Sequence, residues 1–229
     1  DIERRTKSNQ VTSNLIGKGT PGEVKYTIFS RINQGDVPLT SQEIRTALFQ
    51  GYRVDFLEKL VSKETEVGQL FHKVTSGSIK TRRQEDLDFV SRFVSFYIQG
   101  YSNYEPDMDR FITIGTKLIP ENEAEREKMV NAFKNALDIS WNIFGNDSFR
   151  KRQSINDGRK PINKPLFEII STVFSKLNGQ EAKKLLKSKE EFVSSFIKLQ
   201  NDNKRFWNAI TTGTATKDNV NLRNKESTA

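Results

Sequence analysis

The sequence predicts a mainly α-helical, multi-helix domain with a minor short-strand contribution, and three observations carry that expectation. Apolar residues recur at helical spacing along most of the chain. Two early segments open on paired capping signals, "TPGE" and "TSQE", in which a threonine is followed three residues later by a glutamate. Strand-like alternation is visible only in "NQVTSNLI", residues 9–16, and there it is weak. Sixteen phenylalanines among 229 residues, with 34% hydrophobic residues, supply enough large side chains for a packed interior.

After that short strand, Thr20 as N-cap, Pro21 at the first helical position and Glu23 at the third begin a helix. Val24, Ile28 and Ile32 follow at intervals of four, with Phe29 at the edge of the stripe. "NQGDVP" ends it, because Gly35 tolerates a left-handed backbone and Pro38 blocks helical continuation through Val37. Thr40 and Glu43 repeat the capping pair for a second helix with Ile44, Ala47 and Leu48 inward, and Gly51 stops it. "VDFLEKLVS" and "VGQLFHKV" are short amphipathic helices, followed by the polar connection "TSGSIKTRRQ".

A strong helix starts at Glu85, where Leu87, Val90, Phe93, Val94 and Ile98 form a stripe that Phe89 and Phe96 broaden. The tyrosine-rich link "GYSNYEPDMD" leads to "MDRFITIGTKLI". A long helix over about 122–144 offers Met129, Phe133, Ala136, Leu137 and Ile143 or Phe144 to the core. "FGNDSFRKRQSINDGRKPINK" is a long polar connection, and residues 165–178, 180–187, 189–200 and 202–211 give the remaining helices. With no repeat and no linker good enough to split the chain, residues 1–212 read as one domain. Residues 213–229 read as a polar C-terminal extension with room for one more helix from about Asp218.

Lys plus Arg total 37 and Asp plus Glu 29, a formal net charge of +8, which favours anionic partners and nucleic acid first. The absence of cysteine excludes a disulfide framework, a thiolate zinc site and a cysteine nucleophile. No apolar run approaches the length of a membrane span, and "DIERRTKSNQ" lacks the apolar core of a signal peptide. These features predict a soluble, cytoplasmic protein with no membrane partner. A start at Asp1 instead of methionine predicts a processed, trimmed or partly observed chain.

Candidate chemistry is sparse. His72 is the single histidine, beside Phe71, and predicts a structural side chain; no metal site is assigned. "GKGTPG" lacks the Lys-Ser/Thr ending of a phosphate loop, so ordinary capping competes with anion binding at its amides. Arg31, Asn33 and Arg45 flank one helix–turn–helix and are candidate nucleotide or phosphate contacts, since guanidinium forks suit phosphate and Asn offers an amide. The competing reading pairs Arg31 with Glu43 and uses Asn33 as a cap. Arg92, set among Phe89, Val90, Phe93 and Phe96, must pair with an acid such as Asp88, meet a ligand or reach outward, because unpaired burial is costly. Arg150, Lys151, Arg152, Arg159, Lys160 and Lys164 cluster in fifteen residues against Asp157 alone, and are candidate nucleic-acid contacts or a solvated loop. No carboxylate pair or serine triad declares itself, so catalytic residues stay unassigned.

The segment "IFSRINQGDVPLTSQEIRTALFQG" closely resembles the central part of the N-terminal domain of the GmrSD modification-dependent restriction enzymes. "RRQEDLDFVSRFVSFYIQGYSNYEPDMDRFI", "NIFGNDSFRK" and "NKPLFEIISTVFSKL" are similar to later segments in the same order, so the resemblance runs from about Val11 to residue 212. It implies that the chain is the helical portion of an α+β protein whose other part has a ParB-like fold. It also implies an Asp-Gly-Gln-Gln-Arg motif tied to nucleotide hydrolysis, which has no match here, and a C-terminal HNH-type domain, for which one histidine does not suffice. Arg31 and Asn33 then answer to the helix facing the nucleotide motif and Arg45 to its neighbour; ATP or GTP with Mg²⁺ is the implied cofactor of a full-length protein. DNA, self-association or other defence-system subunits are the implied partners. Two functions follow as expectations: the helical part of a nucleotide-dependent, DNA-interacting restriction or phage-defence protein, or a non-catalytic nucleic-acid-binding or interaction module.

Overall fold

The computed structural model describes residues 17, 19–32 and 38–227. The strand expected at 9–16, Asn33 and most of the turn "NQGDVP" lie outside the described residues. Within them, twelve α-helices and three short 3-10 turns follow one another. They are α1 (Gly22–Ile32), α2 (Ser41–Leu48), α3 (Tyr52–Val61), α4 (Glu66–Val74), α5 (Glu85–Gln99) and α6 (Met108–Lys117). Then come α7 (Glu123–Phe144), α8 (Lys164–Phe174), α9 (Gly179–Lys187), α10 (Lys189–Asp202), α11 (Lys204–Ala209) and α12 (Lys217–Glu226).

The expectation of an α+β fold is overturned. No sheet exists among the described residues, and the sole strand-type pairing is an isolated antiparallel bridge between Arg150 and Ile162. The physical reason is that the apolar residues keep a 3.6-residue period throughout, so a burial face forms only when the backbone is helical. The bridge instead clamps the base of the 151–161 loop, helped by Asn163 N–H donating to the Phe149 carbonyl at 2.9 Å.

Helix starts follow the capping chemistry. Thr40 Oγ1 accepts from Glu43 N at 3.1 Å while Glu43 Oε2 accepts from Thr40 N at 2.7 Å, the reciprocal pair expected at α2. The inward face of α2 differs from its apolar pattern: Ile44 is buried, but so are Gln42 and Arg45, and Ala47 is exposed. On α1, Val24 and Phe29 remain 45% and 39% exposed, so the expected stripe there is only partly covered.

The centre of the molecule is where α5, α7 and α8 meet, with α3 and α4 closing one side. The ring of Phe167 is its hub. Its centroid lies 4.8 Å from Phe149, 5.1 Å from Phe89, 6.2 Å from Phe71 and 6.3 Å from Phe133, in tilted edge-to-face arrangements that suit aromatic quadrupoles. A second cluster of Phe96, Tyr104, Met108, Phe111 and Ile112 joins α5 to α6, and Val220 of α12 caps it. Tyr104 Oη donates to the Ala215 carbonyl at 2.6 Å, which ties the C-terminal residues to this cluster.

Close approach of α5 and α6 depends on Gly115. A Cβ there would lie 2.6 Å from the Cα of Ser95 and 2.5 Å from its Cβ, so no side-chain rotation relieves the clash. Gly115→Ala is therefore expected to lower the unfolding free energy by about 1–2 kcal/mol, the overpacking cost exceeding the ~1 kcal/mol gain in helix propensity. A urea midpoint equal to or above the wild-type value would show that the two helices part without cost.

Candidate functional site

Charged side chains from five helices meet beside α5. Asp88 is the first junction: its carboxylate accepts from Arg45 Nη2 at 2.9 Å and Lys164 Nζ at 2.7 Å, with Arg92 Nε at 3.6 Å. Burial alone would raise the Asp88 carboxyl, but the positive charges of Arg92, Lys164 and Arg45 outweigh it and hold the group below its ordinary value. Arg45, fully buried, also donates Nη1 to Asp109 at 3.1 Å and Nε to Gln42 at 2.9 Å, and Ser41 Oγ donates to the other Asp109 oxygen at 2.8 Å.

Glu168 of α8 is the second junction and is also fully buried. It receives Arg92 Nη1 at 3.4 Å, Arg223 Nε at 3.1 Å and a further bond from Arg223 Nη2. Arg223 spends its remaining nitrogen on the carbonyls of Thr214 and Ala209. Of the alternatives open for Arg92, the structure realises the ion pair.

Two polar clefts lie on either side of the α5 N-terminus and share Glu85. The first, about 440 Å³, is lined by Ser41, Arg82, Arg83, Asp88, Arg92 and Lys164. Three of its four cations are engaged, since Arg83 pairs with Glu43 at 3.0 Å and Arg92 and Lys164 belong to the Asp88 junction, while exposed Arg82 has no ion pair among the described residues. The second, about 340 Å³, is lined by Ser78, Phe89, Arg150, Arg159, Lys160 and Ile162.

The second cleft is electrostatically different. Arg150 is 2% exposed, yet every acceptor it reaches is neutral. Its Nε donates to the Asn146 carbonyl at 3.0 Å, Nη1 to the Lys160 carbonyl, and Nη2 to the Thr75 carbonyl at 3.2 Å and Ser78 Oγ at 2.8 Å. Arg159 Nη2 converges on the same Ser78 Oγ at 2.8 Å and on the Ser76 carbonyl at 3.1 Å. Asp147, close by in sequence, is taken by Arg152 at 3.2 Å. Neither Arg150 nor Arg159 has a carboxylate partner among the described residues. Burial and the neighbouring Arg159 charge pull the Arg150 guanidinium below its ordinary value.

Backbone strain gathers around both clefts. Among the described residues, the non-glycine positions with left-handed backbones are Ser76 (φ 51°), Arg83 (φ 62°), Gln84 (φ 56°) and Phe149 (φ 61°). Arg83 lines the first cleft and Gln84 follows it; Ser76 holds Arg159 and Phe149 precedes Arg150. Such conformations cost roughly 1–3 kcal/mol each and persist only where the surroundings over-determine them. Here Arg83 is fixed by the Pro38 carbonyl and Glu43, and Gln84 Oε1 accepts from Thr46 Oγ1 at 2.7 Å.

Arg31 and Arg45 differ in their surroundings. Arg31 is exposed in the last turn of α1, Arg45 is buried between Asp88 and Asp109, and Asn33 lies outside the described residues. The expected Arg31–Glu43 pair is replaced by Arg83–Glu43. The basic run divides: Arg150, Arg159 and Lys160 line the second cleft and Lys164 the first. Lys151 lies 5.2 Å over the Trp207 ring, and Arg152 is bound to Asp147. His72 is occupied structurally, its Nε2 donating to the Val61 carbonyl at 2.8 Å.

Ser78, Asp88 as a junction, Glu168 and Arg223 were not singled out as site residues from the sequence. Glu168 carried a readable signal: it interrupts the apolar run "PLFEII", as Arg92 interrupts "DFVSRFVSF", and opposite charges in two buried stripes are candidates for each other. Ser78 carried none.

No group of three or more metal-ligating side chains occurs among the described residues, and no helix is long and apolar enough to cross a membrane. With no sheet in the described residues, the α+β type implied by the restriction-enzyme resemblance is corrected, and roles in restriction, phage defence, DNA binding or nucleotide binding gain no support from the fold. Comparison of the chain with protein-family models, with curated proteins and with solved structures finds no match in any of the three.

Proposed function

We propose that this chain is a non-catalytic nucleic-acid-binding module that meets the DNA phosphate backbone along the second cleft and the adjoining basic loop. The observation that supports it is the contrast between the two clefts. In the first, Arg83, Arg92 and Lys164 answer carboxylates within the fold, and only exposed Arg82 has no ion pair among the described residues. In the second, Arg150 and Arg159 converge on one hydroxyl without a carboxylate partner, and Lys160 stands beside them exposed. A buried charge is ordinarily paired, so an unpaired one beside an open cleft favours an anion from outside.

Arg45 favours the non-catalytic member of the two expectations set out above. This candidate nucleotide contact, on the helix next to the one that the resemblance turns toward the nucleotide motif, spends its donors on Asp88, Asp109 and Gln42. A mainly backbone-directed site then binds by counterion release, with affinity falling steeply as salt rises.

Fluorescence anisotropy with duplex and single-stranded DNA across a salt series tests the reading. The double variant Arg159→Ala/Lys160→Ala is expected to reduce the slope of log K against log salt by about 1.5–2, near 0.9 for each lost phosphate contact. Lys134→Ala, which removes a cation paired with Glu66 on another face, should leave the slope alone. An unchanged slope in the double variant, or binding indifferent to salt, sinks the proposal.

A further inference from the structure

We infer that the second cleft holds a terminal phosphomonoester, the doubly charged end of a chain, in preference to the diester of a continuing backbone. For the source of that end the inference rests on the nucleic-acid reading; the site itself rests on three observations.

The first is the valence of one hydroxyl. Ser78 Oγ has two lone pairs and one hydrogen. Arg150 Nη2 and Arg159 Nη2 each donate to it at 2.8 Å, so both lone pairs are used and the hydroxyl has only its own hydrogen left to offer. No described residue accepts that hydrogen, and Ser78 lines the cleft. Ser78 is exposed, so solvent accepts this hydrogen until a phosphoryl oxygen in the cleft replaces it.

The second is charge. Arg150, Arg159 and Lys160 bring three positive charges to the cleft, against the single carboxylate of Glu85, which accepts from Lys80 N at 3.1 Å. The lining alone therefore carries a cationic surplus, with Asp157 near Lys160 and Asp147 near Arg150 answering part of it from outside the lining, and a surplus of this kind favours the doubly charged phosphomonoester over a singly charged diester.

The third is shape. Ile79, Phe89, Pro161 and Ile162 form the apolar part of the lining of this cleft of about 340 Å³, with Ile79 and Phe89 buried. Apolar lining strengthens the pull on one charge group, and it offers no donors to a second phosphate. A chain end fits such a cleft; a chain passing through requires cations along both exits.

The test compares single-stranded DNA of about twelve nucleotides, within the range a small binding site covers, carrying a 5′-phosphate, a 3′-phosphate or hydroxyls at both ends. Anisotropy is expected to show a preference of about tenfold or more for at least one phosphorylated end, the size of one or two charge-assisted hydrogen bonds. Ser78→Ala and, separately, Arg159→Gln should each cut that preference to below about threefold. In parallel, calorimetry with ribose 5-phosphate against ribose reads the site without nucleic acid. Equal binding of phosphorylated and hydroxyl-ended DNA overturns the inference while the backbone-binding reading stands. Binding of ribose 5-phosphate that is lost in Ser78→Ala, with no DNA binding at low salt, upholds the site and overturns the nucleic-acid reading. Failure of both ligands overturns both.

Discussion

Phe167→Ala is expected to lower the unfolding free energy by about 3–5 kcal/mol, the largest apolar effect in the molecule. Phe167 is fully buried and is the one ring that touches Phe71, Phe89, Phe133 and Phe149 together. Those partners stand on α4, α5, α7 and the segment after it, so collapse of the cavity requires all of them to move at once. A domain whose total stability is of order 5–15 kcal/mol loses a large share of it. Denaturant unfolding followed by far-ultraviolet circular dichroism measures the loss. A change under about 1 kcal/mol would mean that the ring is not the hub of a close-packed centre.

Glu168→Ala is expected to cost a similar amount, about 3–5 kcal/mol, for a different reason. Glu168 and Arg223 are both fully buried, and Arg92 shares the same carboxylate. Removing the acid leaves the Arg223 guanidinium in the interior with carbonyl partners alone, and the penalty is the desolvation of an unpaired cation more than the loss of two bonds. The double variant Glu168→Leu/Arg223→Met separates these effects. If desolvation dominates, the double variant recovers most of the loss, because both charges leave together. A double variant as unstable as Glu168→Ala would assign the loss to packing instead. Because Lys164 opens the helix that carries Glu168, loosening α8 is also expected to disturb the first cleft.

The helices were legible because their signals are local. The Thr40–Glu43 pair, the start at Glu85 and the stripe through Phe93 and Phe133 each depend on residues within a few turns, and the structure places helices on all of them. The inward face of α2 was not legible. Its apolar pattern pointed Ala47 and Leu48 inward, whereas the fold buries Gln42 and Arg45, because Asp88 and Asp109 arrive from sequence positions more than forty residues away. The same holds for the basic loop: six cations within fifteen residues look alike in sequence, yet the Arg150–Ile162 bridge turns three of them to one cleft and leaves Arg152 on Asp147.

Composition and periodicity by themselves determined a helical chain with an aromatic interior and a cationic surplus, since apolar spacing and capping act over one or two turns and net charge needs no geometry. Only the tertiary structure decided which cations are answered from within and which are left for a ligand. Buried charge is settled by partners brought together from distant segments, as Glu168 meets Arg223 and as Ser78 meets Arg150 and Arg159, and desolvation makes each of those meetings far more consequential than the same residues at the surface.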